Sequence, residues 1–467
     1  MPAYIPEKIS NLAQAVRRTG GRALLVGGCV RDWLMNTEPK DWDVEVYGVE
    51  PVLLREVLEE FGRVDTVGEA FTVYKIGVDL DVSIPRRERK QGRGHRAFIV
   101  EGDPSMTFED ALRRRDFTIN AILQDPLTNE LIDPFDGQTD IADKTLRAVS
   151  RETFAEDSLR VLRAAQFAAR FEFDIEPKTI ELCRAIDVTD LPRERIWGEM
   201  EKLLLRARRP SIGLKWLTQL NVTTQLFPEI EKLIGVPQEK EWHPEGDVYI
   251  HSLLVVDRAR ELIDDLPYAK QVTVMLAALC HDFGKPATTE FTEGRWRSRG
   301  HEEAGVAPAE SFLERLNIHT INNYDVRAQV VALVRDHLKP GEFYKKREEV
   351  GDGAFRRLAR RCELDLLYRV ARADSLGRNA EWVPREKWFD ATAQEWFIER
   401  ARELEVEEHA PAPLLLGRHL IEMGQKPSPR FGKILSAVYE MQLDGRVSTL
   451  EEAKQSARKM LEANDRS

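Results

Sequence analysis

Cysteine is scarce: the 467 residues contain four (Cys29, Cys183, Cys280 and Cys362), none in a CxxC pair. That excludes a disulfide framework, and the four read as reduced packing residues of a cytosolic protein. No apolar run approaches the roughly 18 residues that a membrane span needs, so no membrane is expected as a partner. The opening MPAYIPEKIS has neither a basic flank nor an apolar core, and no signal peptide is expected. A basic excess is missing as well. The net charge is −11, which would argue against nucleic acid if the charge were evenly spread. It is not. Arg86, Arg87, Arg89, Lys90, Arg93 and Arg96 crowd one stretch; Arg113 to Arg115 follow, then Lys202, Arg206, Arg208 and Arg209. Such patches on an acidic body are compatible with holding a phosphate backbone in one groove. The chain is too long for one core and predicts roughly three to four domains of about 100–200 residues each. Hydrophobic residues at 42% and charged residues at 32% fit a polar, mostly helical protein.

What is present is concentrated first in residues 24–46, LLVGGCVRDWLMNTEPKDWDVEV. Leu24-Leu25-Val26 reads as a short buried strand, Gly27-Gly28 breaks it, and residues 29–35 have helical spacing. After a polar turn, residues 41–46 alternate polar and apolar, the period of a half-buried strand. Side chains two apart on a strand share a face, about 6.6 Å apart. Asp41 and Asp43 can therefore both reach one divalent cation or clamp two. The Gly-Gly turn offers bare backbone N–H groups suited to phosphate, and Arg31 adds a cation about one turn into the helix. Carboxylates for metal beside amides and arginine for phosphate are the equipment of a nucleotide-handling enzyme.

Their order resembles the signature of the polymerase-beta-like nucleotidyltransferases. GGxVRD followed by DxD is similar to the bacterial tRNA nucleotidyltransferase and poly(A) polymerase family. Helices are predicted over 6–19 and 50–61 and strands over 63–82, with Asp81 as a third acid on an adjacent strand. Residues 85–107, glycine-containing and basic, read as a loop beside the metal site. Residues 108–120 are predicted helical, with Asp116 and Asn120 on one face. There RRRDFTINAI matches the RRDFTxNA motif of the same family, by which Arg115 would contact the nucleotide's phosphates and Asn120 would support the sugar or the loop. The resemblance implies Mg²⁺ on Asp41 and Asp43, and Gly28 and Arg31 near the nucleotide.

From about residue 151 strand-like alternation gives way to helical periodicity. Residues 154–171, FAEDSLRVLRAAQFAARF, predict one helix with Leu159, Leu162, Ala165 and Phe167 packed, and Asp157, Arg160 and Arg163 recurring as a polar stripe. A carboxylate accepts from an exocyclic amino group and a guanidinium donates to ring acceptors. Cytosine and adenine both offer an amino group beside a ring nitrogen acceptor; uracil and guanine offer a carbonyl there. The stretch resembles the EDxxR motif of the class II tRNA nucleotidyltransferases, where that Asp and Arg read the base. One departure stands out: a further arginine common in that pattern is Gln166 here, so any triphosphate contact there is weakened or made by another residue. ERIWGEMEKLLL, residues 194–205, resembles the family's next helical motif and reads as structural support.

After Pro237 come His243, His251, His281-Asp282, His301, His337 and Asp374, on successive helical runs that can converge on one or two divalent metals. HDFGK, with His251 before it and RADSLGR after it, resembles the HD phosphohydrolase superfamily. By that likeness His251, His281, Asp282 and Asp374 bind a metal (Mn²⁺, Ni²⁺ or Mg²⁺), with His301 and His337 as second-metal ligands, and a metal-bound hydroxide attacks a phosphoester. Residues 385–467 read as a helical tail similar to the RNA-holding segment of bacterial CCA-adding enzymes.

The expectation is an α+β chain in four parts. A nucleotidyltransferase head spans 1–150, a helical neck 151–237, an HD domain 238–384 and an RNA-binding tail 385–467, everything after the head being all-α. The resemblance implies a cytoplasmic enzyme adding CMP and AMP from CTP and ATP to the tRNA 3′ end. A poly(A) polymerase or a partial CC- or A-adding enzyme would share the head motifs. The long basic stretch at 85–107 leans towards addition of the terminal A, and the HD region leans away from poly(A) synthesis. An HD-type phosphodiesterase with an RNA-binding head is the alternative from another class. Oligomeric state is not legible.

Overall fold

The computed structural model describes residues 5–67, 73–77, 79–90 and 98–464. Two compact units emerge, 1–199 with 216–226, and 200–215 with 227–467.

The first unit is built on a seven-stranded mixed sheet. Chain order runs α1 (Glu7–Arg18), β1 (Arg22–Val26), α2 (Gly28–Leu34), β2 (Trp42–Tyr47), α3 (Pro51–Glu59), β3 (Val64–Val67), β4 (Val73–Ile76) and β5 (Leu80–Ser83). It continues through β6 (Arg86–Lys90), β7 (Phe98–Gly102), α4 (Phe108–Leu112), β8 (Leu123–Gln124) and β9 (Leu131–Ile132). The strands lie in the order β3-β4-β5-β2-β1-β8-β9. Only β2–β5 is parallel, with Asp43 opposite Asp81, while β1 and β2 are antiparallel with Leu25 opposite Val44. Alternation along β2 sends Val44 and Val46 into a core with Leu12 and Val16 of α1 and Leu54 and Leu58 of α3. It therefore turns Asp43 and Glu45 to the opposite face, where Tyr47 packs with Leu24, Val26 and Leu112.

Residues 85–107 are not one loop: β6 and β7 pair as an antiparallel hairpin, Arg86 opposite Gly102. The run RRERK carries no apolar alternation, which is why it reads as loop, but backbone pairing does not require it. Arg93 and Arg96 lie outside the described residues. The helix expected over 108–120 ends at Leu112 and resumes only as a 3₁₀ turn, Thr118–Asn120. The cause is Asp116, whose Oδ1 accepts from the N–H of Phe117 at 2.8 Å and from Asn120 Nδ2 at 2.9 Å. That side chain competes for backbone donors the helix would use.

The helix expected over 154–171 is likewise two. Following α5 (Gly137–Ala142) come α6 (Arg151–Phe154) and α7 (Leu159–Phe171). Asp157 sits in the break, where its Oδ1 accepts from the N–H of Leu159 at 3.1 Å, an Asx turn just ahead of the helix. Leu159, Leu162, Ala165 and Phe167 are buried, as their spacing implies.

The remainder is mostly rather than wholly helical. Short strand pairs interrupt it at Asp174–Ile175 (against Thr145–Leu146), Glu290–Thr292 with Arg295–Arg297, and Thr320–Ile321 with Tyr324–Asp325. In the second unit the helices Val248–Arg260 and Leu364–Gly377 pack closely. At Gly377 a Cβ would stand 2.5 Å from Val255 Cγ2. That approach, one turn from His251 and Asp374, is what lets those two side chains meet. Residues between Leu414 and Leu461 form a smaller core around Leu420, Val438 and Ala457. No helix of the described residues is long and apolar enough to cross a membrane.

Candidate functional site

Three features of the head converge at the end of β1. Gly27 has φ +74° and ψ −126°, a region open essentially to glycine alone. A Cβ there would stand 2.6 Å from Arg115 Nη1 and 3.9 Å from Asp43 Oδ2. The glycine thus makes room for the guanidinium beside the carboxylate. Gly27→Ala is expected to destabilise the head by about 1–3 kcal/mol and to push the Arg115 guanidinium away from Asp43. Melting curves and a crystal structure of the variant check both; an unchanged melting temperature would show that the position tolerates a side chain.

Asp43 keeps an open surface, yet the protein packed around it pushes its carboxyl above the usual range. Arg115 opposes this, and Asp81 and Asp41 add to it. Asp81, in register with Asp43, pairs with Lys75 Nζ at 3.1 Å. Mutually repelling carboxylate oxygens gathered on one sheet face suit a hard divalent cation, whose charge would relieve the repulsion.

Beside this cluster lies a cavity of about 430 Å³. Glu45, Ser83 and Arg86 line it from the sheet side, Arg114, Arg115 and Asp116 from the motif after α4, and Asp157, Arg160, Arg163 and Arg195 from the helical side. Arg115 belongs to both cluster and cavity. Arg160 donates through Nη1 to the carbonyl of Thr153 at 2.7 Å and through Nη2 to that of Arg114. Burial lowers its pKa. Arg163 grips Asp116 through Nε at 2.8 Å and Nη2 at 2.7 Å, and its charge, with Asn120 and the Phe117 N–H, holds the Asp116 carboxyl below the usual range against burial.

Both oxygens of Asp157 accept from Arg195 Nη2, at 2.8 and 3.1 Å. Arg195 falls in the helix read from sequence as structural support; it is instead a wall of the cavity. Gln166 does not line the cavity. It is buried, and neither amide atom has a partner among the described residues. Arg195, 38 residues from Asp157 in sequence, is brought to it by folding. Arg31, Gly28 and Asn120 do not line the cavity either. Arg31 is buried, donates to Asn120 Oδ1 at 2.6 Å and to Asp32, and stacks on Phe171 at 4.6 Å and Phe167 at 5.3 Å. Arg31, Asn120, Asp116 and Arg163 thus form one chain of contacts that fixes the cavity wall.

In the second unit the histidines expected from spacing do meet. His251 Nε2 is 3.0 Å from Asp374 Oδ1 and 3.8 Å from Asp282 Oδ2; His281 Nε2 is 3.2 Å and Lys285 Nζ 2.8 Å from that same Asp282 oxygen. His301 Nε2 is 3.4 Å from Asp282 Oδ1 and 3.3 Å from His337 Nε2. His281, His301 and His337 each place Nδ1 against a backbone carbonyl three residues back, Ala278, Ser298 and Val334, at 2.7–2.8 Å. A carbonyl only accepts, so Nδ1 carries the proton and Nε2 turns inward as a ligand atom. Burial and the two neighbouring imidazoles push His337 down to about 3, so it is neutral. Gly284 permits this crowding: a Cβ there would lie 2.0 Å from the His301 carbonyl. His281 Nε2, left as an acceptor, faces the buried Asp282 oxygen that Lys285 also contacts, and this donor set fits divalent metal. Sequence reading missed Glu245, whose Oε1 lies between His243 and His251; an acid two residues after His243 was the available signal.

The fold and these two sites define a polymerase-beta-like nucleotidyltransferase head carried on a chain with an HD domain. Three family models match: the poly A polymerase head domain over residues 23–147, the probable RNA and SrmB-binding site of polymerase A over 172–234, and the HD domain over 248–379. The multifunctional CCA protein of Stenotrophomonas maltophilia (strain R551-3) is 38% identical over 374 residues, 76% of this chain and 86% of that protein. The chain belongs to the family of the multifunctional CCA proteins. Among solved structures, the Bacillus stearothermophilus CCA-adding enzyme in complex with CTP shares the fold with a TM-score of 0.64 at 19% identity, covering 99% of this chain and 100% of that one. The Thermotoga maritima CCA-adding enzyme complexed with tRNA gives 0.55 at 18% identity, covering 98% and 96%. Nucleotidyltransferases of this family work with divalent metal ions in general.

Proposed function

We propose that the chain is a cytoplasmic enzyme that adds CMP and AMP, from CTP and ATP and without a template, to the 3′ end of tRNA. The observation that carries this is the single cavity in which Asp157 and Arg160, fit to read a base edge, share walls with Arg115 beside Asp43. Asp41 and Asp43 would hold Mg²⁺, which would lower the pKa of the RNA 3′-hydroxyl and offset charge on the departing pyrophosphate. Arg115 faces the phosphates, and Gly27 and Gly28 leave room for them. Arg31 and Asn120 act from behind, through Asp116 and Arg163, to keep the wall in place. Asp157 accepts from the amino group of cytosine or adenine and Arg160 donates to the adjacent ring nitrogen. Uracil and guanine would set a carbonyl against the carboxylate. The four-part division made from sequence, at 150, 237 and 384, stands within the same proposal. Giving the protein tRNA trimmed of its last three nucleotides, with CTP and ATP together and singly, tests it. Addition of CCA and no more is expected; a long A tail, CC or a lone A would select a poly(A) polymerase or a partial enzyme.

Asp157→Ala is expected to relax discrimination against UTP and GTP by about 10- to 100-fold, since one good base contact contributes about 1–3 kcal/mol. Competition assays with the four nucleotides read this out, and unchanged selectivity would move base reading elsewhere. The buried histidine–carboxylate centre supports a second activity, hydrolysis of cyclic or 3′-terminal phosphoesters. His251, His281, Asp282 and Asp374 would hold one divalent metal and His301 and His337 a second. The imidazole-rich set favours Mn²⁺ or Ni²⁺ over Mg²⁺. Such metal would supply the hydroxide, with Lys285 contacting Asp282 at 2.8 Å to hold it in place.

A further inference from the structure

The H…HD…D pattern leaves out one buried carboxylate that touches it. The Glu245 side chain is fully enclosed, and its Oε1 lies 2.7 Å from His251 Nδ1 and 2.9 Å from His243 Nδ1. A carboxylate oxygen only accepts, so His243 Nδ1 donates to it, while His251 Nδ1 meets the same oxygen at 2.7 Å off the line of a good hydrogen bond. His251 is itself fully buried, and its other nitrogen faces Asp374 and Asp282. His281, His301 and His337 are oriented by backbone carbonyls, whereas His251 Nδ1 faces a carboxylate.

Glu245 is held from both sides. Trp382 Nε1 donates to its backbone carbonyl at 3.2 Å, although the indole is 60% exposed. On the other side Gly246 takes φ +143°, and Asp247 caps the helix that carries His251, accepting from the N–H of Ile250 at 2.9 Å. The backbone that carries the carboxylate is thus fixed on both sides.

We infer that Glu245 is the positioning residue of this centre, holding His251 in the Nδ1–H tautomer so that Nε2 is presented for metal beside Asp374 and Asp282. The inference rests on the metal-binding reading of the HD site. A carboxylate behind a ligand imidazole fixes its ring and raises its basicity, and removing such a partner typically weakens metal binding about 10- to 100-fold.

Titration of the tag-free, full-length protein with Ni²⁺ tests it. Glu245→Gln keeps the shape and loses the charge, and is expected to weaken Ni²⁺ binding about 10- to 100-fold without changing the stoichiometry. His243→Ala, which leaves the Glu245–His251 contact intact, is expected to keep the parent stoichiometry. Wild-type affinity in Glu245→Gln overturns the inference and leaves the HD reading standing. Loss of one metal equivalent in His243→Ala also overturns it, because Glu245 would then be a ligand. Should Glu245→Gln fail to fold, Glu245→Asp takes its place: the retained charge one carbon short is expected to bind Ni²⁺ more weakly than wild type, and equal binding would contradict the assignment. A parent protein that takes up no Ni²⁺, or does so equally after Asp282→Ala, overturns the HD reading and this inference with it.

Discussion

Asp43→Ala is expected to lower nucleotide addition by about 1,000-fold or more while the melting temperature holds or rises slightly. The rate loss follows from removing a carboxylate that would bind metal at the reacting phosphate, where charge stabilisation amounts to several kcal/mol and each 1.36 kcal/mol is about tenfold. The stability side follows from the sign of the pKa shift. The Asp43 carboxyl is raised in the folded state by burial and by Asp81 and Asp41. A folded-state pKa above the unfolded one means that the ionised form costs stability at neutral pH, so its removal relieves the fold. Lys75 remains paired with Asp81. Primer-extension rates and thermal melting, measured together, separate this outcome from simple unfolding. A variant that adds CMP at the parent rate would remove Asp43 from the chemistry.

The second large effect is expected in the other unit. Asp282→Ala should abolish phosphoester hydrolysis and metal uptake there, and leave addition of CMP and AMP to tRNA within about twofold, as sites without shared partners act independently. Asp282 is buried with its carboxyl well below the usual range. Burial opposes its charge, but His281, Lys285 and His301 outweigh that. A depressed carboxyl contributes stability above its unfolded pKa, so here the substitution costs stability at neutral pH. Breaking a buried pair of this kind costs about 3–5 kcal/mol, part of which Gln238 offsets by retaining Lys285 at 2.7 Å. Differential scanning calorimetry in chelator should show the loss. Hydrolysis that survives Asp282→Ala, or that dies with Asp43→Ala, would contradict two separate sites.

Local pattern carried the head's essentials. A Gly-Gly break between an apolar run and a helix, then strict alternation, put Asp41 and Asp43 on one face, because strand period and burial are local properties; Asp43 lies in β2 and Asp41 just ahead of it. The histidine centre was legible for a related reason: His281, Asp282 and Gly284 lie within four residues, and the close approach of the His301 carbonyl explains the glycine. What escaped were contacts made by folding. Arg195 reaches Asp157 from another helix, and Glu245 reaches His251 from a turn without regular period. Two predicted helices broke where Asp116 and Asp157 direct carboxylates to backbone N–H groups, an outcome that helical spacing cannot register. The β6–β7 hairpin was hidden by a strand of five charged residues. Gln166 illustrates the converse: it breaks the family motif in sequence, yet it does not line the cavity.

One crystal would bear most directly on the claim that a single head site serves chemistry and base reading together. Grown with Mn²⁺ and a non-hydrolysable CTP, it should show anomalous density at the carboxylates of Asp41 and Asp43, phosphates against Arg115, and the cytosine amino group on Asp157. Metal away from those two aspartates, or a cytosine edge facing any other pair, would contradict the account.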